Sequence, residues 1–179
     1  RRLLVLKARA GLHKNRFVSL ERVSEVVGSG PHLAFADSAA SRSITLVRDA
    51  EELVPIEASS LAPTLHVVYA GSTILWANRT FAAGLGERVF DLREILLDER
   101  SDSAAYAAVG QAMTEADRVI VSAYVSAGAG SGETALPERL RELMATSVAS
   151  IPTVLLSFGN PYLLSAVPDV GSYLVAWGD

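Results

Sequence analysis

The chain has 179 residues, of which 50% are hydrophobic and 20% charged, with no cysteine and a formal net charge of −4. That is the composition of one ordinary domain, since domains run at roughly 100–200 residues. It excludes intrinsic disorder, a collagen-like repeat and a disulfide-stapled mini-protein, and with no cysteine there is no thiolate zinc site, iron–sulfur cluster or cysteine nucleophile.

The charge is unevenly placed. Residues 1–22 carry seven basic side chains (Arg1, Arg2, Lys7, Arg9, Lys14, Arg16, Arg22) against Glu21, a net of +6, while the other 157 residues carry nine basic and nineteen acidic, a net of −10. Leu3, Leu4, Val5, Leu6, Leu12, Phe17, Val18 and Leu20 interrupt the basic arm and make it amphipathic. We expect it to dock on a protein surface, with no nucleic acid as partner. No apolar run approaches the ~20 residues of a membrane-spanning helix. With no initiating Met, and with the chain stopping at Trp177-Gly178-Asp179 straight after a strand-like run, we expect it to be a piece of a longer polypeptide.

In chain order, residues 3–10 read as the end of a helix. Ser19 is a candidate N-cap for a short helix carrying Leu20, Val23 and Val27 on one face, with Gly28 beyond its end. Gly30-Pro31 opens a third helix, with Ala36, Ala39 and Ala40 as its close-packing side, and Ser43–Val47 follows as a strand. Leu65–Ala70 is a buried strand, Asn78–Leu85 a helix, Val89–Leu92 a weak strand, and Ser101–Glu115 a helix with Ala105, Val109, Ala112 and Met113 inward. Arg118–Val125 is a second buried strand. Leu136–Val148 is a helix with Pro137 in its first turn, and Thr153–Phe158 and Ser172–Ala176 are the last strands. Continuous apolar strands separated by single helices require parallel pairing with helices on both faces. The expected fold is a three-layer α/β/α sandwich with a mostly parallel sheet of about five or six strands.

Motifs that carry chemistry are few. Gly128-Ala129-Gly130-Ser131-Gly132-Glu133 lies between a strand and a helix, where a dinucleotide-binding turn would stand, but Glu133 occupies the place of the third small residue and sets a carboxylate where a pyrophosphate would sit. No Lys-Ser or Lys-Thr pair makes it a P-loop. His13, His32 and His66 are not at metal-ligand spacing, and His66 reads as a satisfied core or strand-end histidine. No Gly-x-Ser-x-Gly elbow marks a serine nucleophile. Glu51, Glu52, Glu94, Asp98, Glu99, Glu138 and Glu142 read as solvated positions on helices or helix ends. Three residues remain at the sheet's C-terminal edge as candidate cleft-rim or interdomain positions: Glu133 in the loop, and Asn160 and Tyr162 in the turn Ser157-Phe158-Gly159-Asn160-Pro161-Tyr162. No cofactor is expected.

Three stretches, Lys7–Val18, Ala40–Arg48 and Pro152–Tyr162, resemble in order the segments of glycoside hydrolase family 3 that leave its N-terminal (β/α)₈ barrel, open its C-terminal α/β sandwich, and form a late strand and turn of that sandwich. The likeness is nearer to the β-N-acetylglucosaminidase branch, because the sandwich-loop Glu of the β-glucosidase branch is not reproduced: Glu133 lies too close to Pro137. The resemblance implies a helical linker over 1–30 and a C-terminal sandwich over 31–179, truncated at its end. It also implies a bacterial parent enzyme that removes terminal β-linked N-acetylglucosamine by a retaining route. The partners it implies are the barrel of the same polypeptide and the parent enzyme's carbohydrate substrate. No catalytic residue carries over to this chain, which is expected to be inactive alone. Two alternatives stand beside this reading: a β-glucosidase-type domain of the same family, and an autonomous doubly wound module binding a small ligand or protein through its strand-edge loops.

Overall fold

A computed structural model describes residues 1–57, 61–71, 77–125 and 136–177. The helices are α1 (Arg2–Arg9), α2 (Val23–Val26), α3 (Gly30–Ser43), α4 (Arg79–Gly86), α5 (Ser103–Thr114) and α6 (Glu138–Ser147). The strands are β1 (Thr45–Asp49), β2 (Thr64–Ala70), β3 (Leu92–Leu97), β4 (Arg118–Val125), β5 (Thr153–Gly159) and β6 (Ser172–Ala176). They form one six-stranded sheet in the order β1-β6-β5-β4-β2-β3. β3, β2, β4, β5 and β6 run parallel, and β1 pairs antiparallel with β6 at the edge.

The β-branched, two-sided apolar character of β2 and β4 suits strands buried on both faces. Every residue of β2 is buried, as is every residue of β4 after Arg118. Alternation along the strands divides their side chains between two layers. On one face Leu65, Val67, Tyr69, Val119, Val121, Ala123, Leu155, Tyr173 and Val175 form a continuous core with Val109 and Met113 of α5 and Leu140 and Met144 of α6. On the other, Ile120 packs with Leu85 of α4 and with Val89, and a smaller group joins Val68, Ala70 and Tyr124. The sandwich with helices on both faces is therefore as expected. Local signals start the helices: the Asp102 carboxylate accepts the Ala105 N–H at 2.9 Å to cap α5, and Pro137 stands immediately before α6.

Several expectations shift. The third strand runs over Leu92–Leu97 rather than Val89–Leu92, and Glu94 lies on it rather than on a helix. It is an edge strand, and its exposed Arg93 and Glu94 break the apolar run by which strands are recognised. β5 and β6 are joined by the 3₁₀ turn Leu163–Ser165 in place of a helix. The stretch between Pro161 and Pro168 is too short for more, and Leu163, Val167 and Val170 anchor it in the core. The short second helix starts at Val23 with Arg22 as its cap residue, while Ser19 donates its hydroxyl to Glu21 at 2.7 Å. Gly28 follows that helix with φ of +70°, the left-handed backbone that ends helices.

By its contacts the chain forms two compact units, Arg1–Arg42 and Ser43–Asp179. The second contains the sheet. In the first, no residue is buried, and Ala36, Ala39 and Ala40 are exposed rather than packed.

Candidate functional site

The turn after β5 is built by its own side chains. The Ser157 hydroxyl donates to the Asn160 carbonyl, and the Tyr173 hydroxyl, on neighbouring β6, donates to the Pro161 carbonyl at 2.9 Å. The Asn160 side-chain oxygen accepts the Tyr162 N–H at 3.0 Å, the short-range bond that makes Asn a turn former. Gly159, with φ of +110°, supplies backbone that other residues rarely adopt. Burial raises the Tyr173 pKa, partly opposed by its hydrogen bonding to Ser157, so the phenol stays protonated and keeps donating. Asn160 is thus buried in the turn, whereas the Tyr162 ring is 76% exposed beside it.

Next to this corner the ends of β4 and β5 carry an aromatic group. Tyr124 and Phe158 stack at 4.3 Å between centroids, and Phe81 of α4 meets Phe158 edge-on at 5.7 Å. β2, β4 and β5 are adjacent, as convergence of their loops requires. Glu133, Ser72-Thr73 and the Ser126–Glu133 loop lie outside the described residues, so of the three candidate positions the structure describes Asn160 and Tyr162.

A second polar group lies in mid-sheet. Parallel register sets His66 on β2 beside Glu94 on β3 and Ile120 on β4, with Ser122 one pleat further on the same face. His66 Nδ1 lies 2.9 Å from Glu94 Oε2, and Nε2 lies 2.8 Å from Ser122 Oγ. Asn78, the residue before α4, donates its amide to the same Glu94 oxygen at 3.0 Å. These partners suit one neutral tautomer: Nδ1–H donates to the carboxylate while Nε2 accepts the serine proton. The Phe81 ring meets the imidazole edge-on at 5.5 Å. Burial holds the His66 pKa below the usual histidine value, opposed by the charge and hydrogen bond of Glu94.

The connectivity is that of a hydrolytic Ser-His-carboxylate triad. Accessibility decides against that role, because His66 and Ser122 are both 0% exposed and no carbonyl can reach the hydroxyl. The chain of bonds instead ties three strands and the start of α4 together, with His66 as a satisfied core histidine. Its members are 28 and 56 residues apart. Only the pairing of β3, β2 and β4 brings them together, and the one available sequence signal was a histidine and a serine inside otherwise apolar strands. Among the described residues no group of three or more His, Asp or Glu side chains could hold a metal ion, and no helix is long and apolar enough to cross a membrane.

No protein-family model matches the chain. It is 31% identical to a beta-N-acetylglucosaminidase/beta-glucosidase of Cellulomonas fimi, over 99% of this chain and 33% of that protein. It therefore spans about a third of the length of the curated relative it matches. Among solved structures it resembles beta-glucoside phosphorylase BglX with a TM-score of 0.70 and 22% identity, over 99% of this chain and 32% of the other. A region of a fungal multi-domain GH3 beta-N-acetylglucosaminidase matches with a TM-score of 0.65 and 21% identity, over 90% of this chain and 17% of the other. These likenesses bear out the resemblance to the C-terminal α/β domain of glycoside hydrolase family 3, and with it the fold.

Proposed function

We propose that this chain, similar along its length to the C-terminal α/β domain of family 3 glycoside hydrolases, is the non-catalytic C-terminal domain of a bacterial enzyme that removes terminal β-linked N-acetylglucosamine. Its catalytic residues stand on an N-terminal barrel of the same polypeptide. The observation that carries this reading is the 31% identity over 99% of the chain to a protein named for both β-N-acetylglucosaminidase and β-glucosidase activity. That alignment covers only 33% of the relative, which leaves room there for a larger domain bearing the chemistry.

The side chains of the described site agree with it. Retaining hydrolysis with two carboxyl groups needs them roughly 5 Å apart across one glycosidic bond. The turn after β5 offers a buried amide and a phenol, neither of them a carboxyl, and Glu94 is bonded to a sealed imidazole. The Arg1–Arg42 unit supports docking on the rest of a longer polypeptide, since Leu3, Leu6, Phe17 and Val18 are 74%, 59%, 75% and 75% exposed on a surface carrying eight basic and three acidic side chains. Preference for N-acetylglucosamine over glucose rests on the missing Glu at the β-glucosidase spacing before Pro137. The longer polypeptide containing this chain should turn over a chromogenic β-N-acetylglucosaminide faster than the matching β-glucoside, and preference for the glucoside would overturn the branch assignment.

A further inference from the structure

A groove of about 370 Å³ runs between α5 and α6, within the roughly 300–1,000 Å³ of pockets that hold small molecules. Its lining comes from positions one helical turn apart on each helix, Ser103 with Tyr106 and Ala107 on α5, and Arg139 with Glu142 and Leu143 on α6. Gly110 lets the helices come close: a Cβ there would stand 3.1 Å from Leu143 Cδ2. Half-buried Leu143 and the methyl of Ala107 give the groove its apolar surface.

The polar groups are not spent within the fold. Tyr106 is only 8% exposed, yet among the described residues its hydroxyl has no hydrogen-bond partner, which a buried phenol normally finds. Burial raises its pKa, opposed by nearby Arg139, so the phenol stays protonated and able to donate. The Arg139 guanidinium stands over the Tyr106 ring, 5.9 Å from its centroid, and donates one N–H to the Ser103 hydroxyl at 2.8 Å. That leaves the proton of Ser103 and the other guanidinium N–H groups free to donate. Glu142 is exposed, and its carboxylate, which can only accept, has no partner among the described residues.

This mixture selects a ligand class. An anion would meet the Glu142 carboxylate and a cation the Arg139 guanidinium, so neither charge is favoured. A pyranose satisfies both sides: its C–H face lies on Leu143 and Ala107, and its hydroxyls, each donor and acceptor at once, meet donors and an acceptor around the rim. We propose that the α5/α6 groove binds a single neutral sugar ring, with Tyr106, Ser103 and Arg139 donating to its oxygens and Glu142 accepting from its hydroxyls. The proposal stands on the groove alone and does not depend on the glycosidase reading.

The test is an NMR titration of the chain with N-acetylglucosamine, with sodium acetate as the anionic control. The amides of Ser103–Ala107 and Arg139–Leu143 should shift saturably, with half-saturation on the order of millimolar, the strength of a monosaccharide in an open groove. Acetate should leave them in place. Tyr106→Phe removes one oxygen and no packing, Glu142→Ala removes the acceptor at an exposed position where the fold is not at risk, and each should weaken binding about fivefold. Failure to saturate, shifts confined to the Asn160 turn, unchanged affinity in either variant, or saturation of the same amides by acetate would each overturn the proposal. The glycosidase reading is judged separately, by turnover in the longer polypeptide.

Discussion

The two faces of the sheet are stabilised differently. The face under α5 and α6 is a continuous apolar core in which Leu155, Leu140, Val121 and Met144 are 0% exposed, and its stability is the sum of many small non-directional contacts. The face under α4 has two small apolar clusters and, beside them, the bonded chain of His66, Ser122, Glu94 and Asn78. One face loses stability by volume; the other loses it by the direction of a hydrogen bond. The first is insensitive to pH and tolerant of exchange among residues of equal size, and the second is neither.

Substitutions can sharpen that contrast, with urea unfolding as the readout. Leu155→Ala or Leu140→Ala removes a wholly buried side chain from the apolar face and should cost about 3 kcal/mol at any pH between about 5 and 8. Ser122→Ala removes little volume but strands the His66 acceptor, and should cost about 1–2 kcal/mol near neutral pH. In the variant the Nε2–H of a protonated ring would face a methyl group with no acceptor, so its loss relative to the wild type should grow as the pH falls below about 6.5. A Ser122→Ala cost that stays constant over that range would erase the distinction between the faces. Asp102→Ala removes the cap of α5 and should cost about 1 kcal/mol. Arg93→Ala breaks a 3.1 Å ion pair with Glu115 whose side chains are 56% and 54% exposed, and should change stability by no more than about 0.5 kcal/mol.

The same contrast governs how much could be read from the sequence. β4 and β6 were delimited to the residue, because continuous β-branched and aromatic runs bounded by charge or Gly signal strands buried on both faces. β3 was displaced because Arg93 and Glu94 stand on an edge, where one side needs no apolar cover. The helix expected between β5 and β6 is a 3₁₀ turn, since apolar content there reports anchoring by Leu163 and Val167 and not length. Of the site, the Asn160 turn was legible from Gly-Asn-Pro, a local signal with a local cause. The tie around His66 was not, because its bonds join positions related only by strand register, and Glu94 could not be placed beside His66 until β3 was placed beside β2.

In the proposed function the chemistry lies outside this chain. The most direct measurement is hydrolysis of an aryl β-N-acetylglucosaminide by the purified 179-residue chain beside the proposed longer polypeptide. Turnover is expected from the longer protein and none from the chain alone. Turnover by the chain alone, abolished by Glu133→Gln, would contradict it, because the sandwich would then carry an active site of its own.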